Sequence, residues 1–118
     1  GASLARLGRF AEAEKSVRKA LSLQSNLAEG WDTLGYIRKA RGDLAGAIVS
    51  HRRAVSVKPD YVMGWHHLGL ALLHSGEPAE SLACQDRALA LAPQWVKAHY
   101  GRALALSRAS GIWWFGFP

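Results

Sequence analysis

A period of 34 residues is the strongest constraint that this sequence places on its fold. The segment from Asn26 to Pro59 matches the segment 34 residues later at many positions. The agreeing pairs are Trp31/Trp65, Leu34/Leu68, Gly35/Gly69, Gly42/Gly76, Ala45/Ala79, Ala54/Ala88 and Pro59/Pro93. A fixed period of roughly 20–50 residues is typical of stacked structural repeats. The sequence therefore predicts a repeat array.

Each unit of the array predicts two helices and no strand. Apolar residues between Phe10 and Leu23 recur three and four residues apart, which places them on one helical face. Gly8 and Arg9 predict a turn before this helix, and Gly42, which can take a left-handed conformation, closes the next one. The remaining helices are predicted over 27–41, 44–57, 61–74, 79–91 and 95–107.

Several polar residues predict where the helices begin. Asn26 and Glu29 have the spacing of a capping box, in which each side chain bonds a free backbone N–H of the first turn. Asp43 and Asp60 are predicted N-caps, and Pro78 stands where a first helical residue tolerates proline.

Composition excludes some classes of protein. Of the 118 residues, 49% are hydrophobic and 20% are charged, which predicts a folded chain with a core. The uncharged stretch at Ile112–Pro118 is too short to span a bilayer, and the first residues have no signal-like apolar segment, so no membrane partner is expected. Cys84 is alone, which excludes an internal disulfide and leaves the compartment open, with the cytoplasm favoured.

The net charge of +6 raises the question of a nucleic-acid partner. Five basic residues fall in two adjacent columns of the repeat, between columns of Ala and Leu, which predicts a solvated outer face instead. They are Arg18, Lys19, Arg52, Arg53 and Arg87.

The motif Trp-x2-Leu-Gly at Trp31–Gly35 and Trp65–Gly69 resembles the first-helix motif of the tetratricopeptide repeat family. Ala54 and Ala88 match the alanine that this family has late in the second helix. This resemblance implies an all-α fold, a right-handed superhelical α-solenoid of antiparallel helix pairs. It divides the chain into an array over 1–107 (partial repeat 1–27, full repeats 28–61 and 62–95, partial repeat 96–107) and an atypical apolar tail over 108–118. Local departures from the family pattern are Ser25, Arg38, Ser81, His99 and Arg102.

The resemblance also implies a function, that of a protein–protein interaction scaffold. Such arrays bind a peptide or partner protein in a concave groove lined by the first helix of each pair. By periodicity, the predicted groove residues are Glu29, Asp32, Thr33, Tyr36, Lys39, Met63, His66, His67, Leu70, His74, Lys97, Tyr100 and Arg108.

The sequence also predicts which side chains in and near the groove are exposed and which are packed. We expect Tyr36, His66, His67 and Tyr100 to be exposed there. Leu70, Leu73 and Leu104 are expected to pack one first helix against the next. Trp31 and Trp65 are expected to be core wedges within their helix pairs.

Two known groove chemistries of the family are not supported. The carboxylate clamp needs Lys and Asn at set positions, and the asparagine ladder needs Asn in one column, where this chain has Thr33, His67 and Gly101. Two alternatives stay open: an RNA-binding helical-repeat array, which the irregular polar columns do not favour, and an accessory repeat segment of a larger enzyme.

No catalytic or metal-binding motif is present, so neither an enzyme nor a cofactor is predicted. Cys84 lies in the middle of a helix, where a lone cysteine is usually a small filler. No two of the five His are three or four residues apart, the spacing that would place two imidazoles on one helical face.

The tail after Gly111 does not continue the repeat pattern, because Ile112–Pro118 holds four aromatic residues and no charge. Three interpretations remain open: a cap on the last helix, an anchor for a second copy or another partner, and a truncation scar.

Overall fold

The structure, a computed structural model, describes residues 2–110, with the side chains of residue 6 and of residues 8–110. Within this range the chain forms α-helices and no strand, which confirms the all-α prediction. The helices are α1 (Ala2–Leu23), α2 (Ala28–Ala40), α3 (Leu44–Val57), α4 (Val62–His74), α5 (Pro78–Leu91) and α6 (Val96–Ser110). The expectations for Ile112–Pro118 lie outside the described residues.

The turn predicted at Gly8 and Arg9 is wrong, because both residues lie inside the continuous helix α1. One glycine inside a helix costs only about 1 kcal/mol relative to alanine, which a helix of 22 residues can offset. Gly8 is exposed, and a Cβ atom built on it would meet no heavy atom within 4 Å. Nothing at this position therefore demands a break.

Two glycines end the first helices of successive pairs, as predicted. Gly42 has a φ of 89° and Gly76 a φ of 86°, a left-handed conformation that favours glycine. Directly after Gly42, the Asp43 carboxylate accepts a hydrogen bond from the backbone N–H of Gly46 at 2.9 Å, which confirms Asp43 as the N-cap of α3. Pro78 is the first residue of α5, which is also confirmed.

The predicted caps at Asn26 and Asp60 are wrong by one residue. Helices α2 and α4 begin after Leu27 and Tyr61, which have the same extended conformation (φ −83° for both, ψ 93° and 94°). Both side chains are partly buried, and Leu27 lies against Gly30 in the first turn. Apolar contact, not a polar cap, therefore positions these helix starts.

The helices pack as an extended stack with dimensions of 48 × 37 × 21 Å. Within a pair, α2 contacts α3 and α4 contacts α5; between pairs, α1 contacts α2, α3 contacts α4, and α5 contacts α6. The first helices also contact one another, α2 with α4 and α4 with α6, and so share one side of the stack. Each pair buries its apolar face against the next pair, the arrangement of a solenoid.

Small residues allow the helices to approach closely in the core. Ala47, Ala54 and Ala88 are fully buried, and each belongs to the second helix of a pair. Ser81 replaces alanine in the column of Ala47 and is also fully buried. Its hydroxyl donates to the carbonyl oxygen of Gly69 at 2.7 Å, so the substitution leaves its polar atom bonded.

Trp31 and Trp65, expected as core wedges, are only half-buried, although Trp65 packs against the buried cluster of Val55, Leu68, Leu72 and Cys84. Each indole Nε1–H donates to a backbone carbonyl oxygen six residues earlier, Ser25 for Trp31 and Pro59 for Trp65, both at 2.8 Å. An indole buries best where its N–H finds a partner, and here that partner is the loop before the helix.

His99 occupies the tryptophan column of the last unit and makes the same bond. Its Nε2 lies 2.7 Å from the carbonyl oxygen of Pro93, again six residues earlier. A ring N–H at this column therefore fastens the preceding loop in three successive units.

The basic columns lie on an exposed surface, as predicted. Arg53 lies over the ring of Trp31 and Arg87 over that of Trp65, each with 5.5 Å from guanidinium carbon to ring centroid. Such stacking holds the guanidinium while it remains in water.

Charged groups join α1 to α2. The Glu14 carboxylate lies 2.9 Å from Arg18 on its own helix, and 2.8 Å from Arg41 and 3.9 Å from Arg38 on α2. Arg38 also donates to the Ser50 hydroxyl on α3 at 3.0 Å. Arg38, a departure from the family pattern, thus ties three helices together.

Candidate functional site

A cavity of about 320 Å³ opens where α2, α4 and α6 share one side of the stack. We call it the imidazole pocket, because three histidines contribute to it. Its lining residues are Tyr36, Lys39, His51, Met63, His66, His67, Leu70 and Lys97.

A buried carboxylate lies at the base of this pocket. Asp32 on α2 is 7% exposed and contacts imidazoles from two other helices. Its Oδ1 lies 2.7 Å from Nδ1 of His51 on α3, and its Oδ2 lies 2.8 Å from Nδ1 of His67 on α4. The Tyr61 hydroxyl is 3.5 Å from the same Oδ2. One side chain therefore joins two helix pairs.

The surroundings of Asp32 stabilise its charged form. Burial by itself raises the pKa of this carboxyl group, but the hydrogen bonds from His51 and His67, together with their charges, outweigh burial and lower the pKa to about 2. An ionised carboxylate can only accept hydrogen bonds, so both Nδ1 atoms carry their protons.

The same pairing recurs one unit later with other residues. His66 takes the place of Asp32, and Gln85 takes the place of His51. Nδ1 of His66 lies 3.0 Å from Oε1 of Gln85, while Nε2 of Gln85 donates to the His66 carbonyl oxygen at 3.3 Å. Because Oε1 of Gln85 is the amide atom that faces the ring, and an amide oxygen can only accept, Nδ1 of His66 is a donor as well.

All three imidazoles therefore use the same nitrogen, Nδ1, for their hydrogen bonds within the protein. The Nε2 atoms of His51, His66 and His67 have no hydrogen-bond partner among the described residues, where no buried polar side-chain atom is left without one. The three rings line the pocket, where His67 is half-buried and the other two are buried, so Nε2 is the ring nitrogen that remains for a ligand. A neutral imidazole offers an acceptor there, and a protonated one offers a donor.

Two glycines make room for these polar pairs. A Cβ atom on Gly35 would lie 2.5–2.7 Å from the ring of His51, and one on Gly69 would lie 2.7 Å from Nε2 of Gln85. Glycine in the Trp-x2-Leu-Gly motif therefore lets the polar side chain of the second helix reach under the first.

A second cavity, of about 350 Å³, continues from the first toward α6. We call it the apolar pocket, because carbon atoms dominate its walls. It is lined by His66, Leu70, Val96, Lys97, Tyr100, Gly101 and Leu104. His66, Leu70 and Lys97 line both pockets, so together they form one groove.

The structure brings most of the predicted groove residues together. Seven line the imidazole pocket: Tyr36, Lys39, Met63, His66, His67, Leu70 and Lys97. Tyr100 lines the apolar pocket, and Asp32 lies beneath the imidazoles. Glu29, Thr33, His74 and Arg108 are exposed residues outside both linings.

Two of the predicted groove residues are far more buried than expected. His66 was expected to be exposed and is only 6% exposed, because its ring packs between Gln85 and the edge of Trp95 (centroids 4.9 Å apart). Asp32 is covered by the two imidazoles it binds. Tyr36 and Tyr100 are exposed, as expected.

The three leucines expected to pack one first helix against the next differ in burial. Leu73 is buried, whereas Leu70 and Leu104 are partly buried and line the apolar pocket. Both of these leucines are therefore accessible to a ligand.

His51 and Gln85 were missed by sequence reasoning because they belong to second helices. Each lies 19 residues after a polar residue of the first helix, at the same column of the repeat. A polar residue recurring among the small and apolar positions of the second helix is the signal that could have indicated them.

Two further features were sought among the described residues, a metal-binding cluster and a membrane-spanning helix. Within residues 2–110, no three His, Cys, Asp or Glu side chains are placed to hold a metal ion. None of the helices in that range combines the length and the apolar character needed to cross a membrane.

Comparison with known proteins identifies the repeats. Models described as tetratricopeptide repeat match residues 1–27 and residues 62–95, together more than half of the chain. No curated protein matches the sequence.

Solved structures share the fold. The structure of MamA has a TM-score of 0.80 at 22% identity over 92% of this chain and 63% of its own. The first repeat domain of Spaghetti (RPAP3), bound to an HSP90 peptide, has a TM-score of 0.82 at 16% identity, covering 93% of this chain and 87% of its own. The structure of an O-GlcNAc transferase mutant of Thermobaculum terrenum has a TM-score of 0.76 at 27% identity. The match covers 88% of this chain and 20% of the transferase chain.

This chain thus spans less than two thirds of the MamA chain and one fifth of the transferase chain. The matched repeats, the helix pairs and these shared folds lead to one conclusion. The chain belongs to the tetratricopeptide repeat family.

Proposed function

We propose that this chain binds a peptide segment of a partner protein in the groove formed by the imidazole and apolar pockets. The observation that carries the proposal is the continuity of these pockets across three first helices, with polar and apolar walls side by side. A groove of this kind can hold an extended or helical segment through a few anchoring side chains.

The family supports this function in general terms. Tetratricopeptide repeat arrays serve as scaffolds for protein interaction, and the related RPAP3 domain was solved with an HSP90 peptide. At 16% identity that structure shows a shared fold alone, so the partner of this chain has to be argued from its own residues.

The apolar pocket indicates one feature of the peptide. Tyr100 is 67% exposed, and its ring adjoins the partly buried Leu70 and Leu104. An apolar side chain of the partner would remove this carbon-rich surface from water, which stabilises binding by about 25 cal/mol per Å² of apolar area. We therefore expect a leucine-like or aromatic anchor in the bound segment.

A library of short displayed peptides, selected on the unmodified chain, tests the proposal. Selected peptides should share an apolar anchor and lose about tenfold in affinity for the Tyr100→Ala variant, because truncating a buried anchor contact costs about 1–2 kcal/mol. Val49→Ala is the matched control, since Val49 is 62% exposed on α3 and lines neither pocket. Equal affinity for Tyr100→Ala and the unmodified chain would contradict the proposal.

The two alternatives from the sequence have less support. A nucleic-acid role would use the basic columns, but Arg18 is bonded to Glu14 and Arg52 to Glu80, which reduces the charge available there. A role as an accessory segment of a larger enzyme stays a prediction, and it would be compatible with a peptide groove.

A further inference from the structure

The three imidazoles that line the imidazole pocket each keep one acceptor nitrogen, Nε2, which becomes a donor when the ring takes up a proton. Their Nδ1 protons are committed to Asp32 and Gln85, so any added proton has to go to an Nε2 atom. Histidine is the side chain whose ordinary titration falls between about pH 5 and 8.

The charge around the pocket decides which ligand fits this surface. Lys39 on α2 and Lys97 on α6 line the pocket, and both repel a cationic ligand. Asp32 lies beneath the imidazoles with one negative charge, against two positive charges on the lysines, and both of its oxygens already accept hydrogen bonds from inside the protein. The open positions of the pocket therefore favour an anion.

The titratable groups facing the imidazoles come from every helix around the pocket. Helix α2 supplies Asp32, Tyr36 and Lys39, α3 supplies His51, and α4 supplies His66 and His67, while α6 supplies Lys97 and Tyr100. Tyr61, which precedes α4, adds a hydroxyl whose pKa is raised to about 12 by burial and by the charges of Asp32 and Glu29, and it stays neutral. Helix α5 contributes the neutral Gln85 and the buried Cys84.

The surroundings of His66 disfavour its protonation. Burial lowers the pKa of this imidazole, and the charges of His67 and Lys97 lower it further, against the opposing effects of the Gln85 hydrogen bond and Asp32. An anion placed among these groups would offset both the burial and the repulsion. Anion binding and proton uptake would then each favour the other.

Resting on the proposed peptide groove, we propose that the imidazole pocket takes a carboxylate of the bound peptide and that this carboxylate binds together with a proton taken up by the imidazoles. The peptide would place its apolar anchor in the neighbouring apolar pocket. Its carboxylate would meet Lys39, Lys97 and a protonated imidazole Nε2–H. Binding should then strengthen as the pH falls from about 8 to about 6, by at most about tenfold per pH unit for one proton.

The experiment uses two probes that differ in one group, N-acetyl-Leu-Glu-amide and its neutral isostere N-acetyl-Leu-Gln-amide. Each is titrated into the chain at about pH 6 and about pH 8, with the methyl signals of Leu70 and Leu104 and the ring Cε1–H signals of the histidines followed by NMR. We expect the Glu probe to bind at least several-fold more tightly at the lower pH and to raise the titration midpoints of the pocket histidines. The Gln probe should show neither effect.

His67→Asn separates proton uptake from folding. The asparagine amide can replace Nδ1–H as the donor to Asp32, but it has no group corresponding to Nε2 that takes a proton. The pH dependence of Glu-probe binding should shrink in this variant. His99→Asn is the control, because His99 is exposed on α6 and lines neither pocket.

Lys97→Gln provides a variant at an exposed position, where misfolding is not at issue. It should weaken the Glu probe at both pH values and leave the Gln probe unchanged, because one attractive charge is lost.

The outcomes distinguish the two proposals. Equal binding of the Glu and Gln probes at both pH values, with shifts at Leu70 and Leu104, would overturn the proton-linked carboxylate site and leave the peptide groove standing. No shift with either probe would overturn both. Tight Glu-probe binding that is independent of pH would keep the anion preference but refute proton uptake.

Discussion

Oδ1 of Asp32 lies 2.7 Å from Nδ1 of His51, although the two residues belong to different helices and are 19 residues apart in the chain. One repeat later, His66 and Gln85 form the equivalent pair, with the same separation and a distance of 3.0 Å. The repeat therefore preserves a polar contact between its two helices while changing the chemical groups that make it. Because the pair contains a histidine in each repeat, once in the second helix and once in the first, both pairs contribute an imidazole to the groove.

The first prediction concerns the space that this contact needs. Gly35→Ala would place a methyl group 2.5–2.7 Å from three ring atoms of His51, which is buried and held in place by its hydrogen bond to Asp32. We expect a loss of about 1–3 kcal/mol in the free energy of unfolding, measured by urea denaturation. Gly8→Ala is the matched control, because its methyl group would meet nothing within 4 Å, and it should gain up to about 1 kcal/mol. Equal stabilities for the two variants would contradict the packing described here.

The second prediction concerns the charge of Asp32. Its pKa in the folded chain is about 2, below the ordinary value of 3.8, so its contribution to stability is complete above about pH 4 and is lost as the pH falls through 2. That difference corresponds to about 2 kcal/mol. Asp32→Asn should remove this contribution and flatten the pH dependence of the unfolding free energy between about pH 5 and pH 2. Parallel stability curves for the variant and the unmodified chain would refute the assignment.

The third prediction concerns the thiol of Cys84, which is 5% exposed. Burial and the nearby charge of Glu80 together raise its pKa to about 11, against the opposing charge of Arg52. The thiolate is the reactive form, so alkylation by iodoacetamide at about pH 8 should be much slower in the folded chain than in urea. The rates can be followed by mass spectrometry. Similar rates in both conditions would show that the thiol is accessible.

The fourth prediction concerns the charged joint between α1 and α2. Burial raises the pKa of Glu14, but hydrogen bonds from Arg41 and Arg18 outweigh it and lower the pKa, so the joint is strongest above the ordinary value of 4.5 and weakens as the pH falls below it. Glu14→Gln should destabilise α1 by about 1 kcal/mol, seen as faster amide hydrogen exchange in that helix. Glu12→Gln, at an exposed position on the same helix, is the control and should leave exchange unchanged. Equal exchange rates in the two variants would argue against the joint.

Periodicity was sufficient to predict the fold. The helices from α2 to α6 lie within a few residues of their predicted bounds, because Gly42, Gly76 and Pro78 act locally and mark the boundaries directly. Gly8 misled the prediction, since a glycine signals a turn only where the backbone needs a positive φ, and sequence alone does not reveal that need.

The groove was only partly predictable. Periodicity identified the face on which Tyr36, His67 and Leu70 lie, because these positions are set by the helix itself. It could not show that His66 is covered, since its burial depends on Gln85 of α5 and on Trp95, which directly precedes α6. Contacts between helices of different units are a property of the assembled stack.

The ring N–H bonds of Trp31, Trp65 and His99 bear on how such repeats diverge. What the position requires is a flat ring able to donate toward the loop six residues upstream, and an imidazole meets that requirement as well as an indole. A unit can therefore lose its signature tryptophan and keep its architecture. The unit that contains α6 is such a case, because His99 differs from tryptophan in identity but makes the same hydrogen bond.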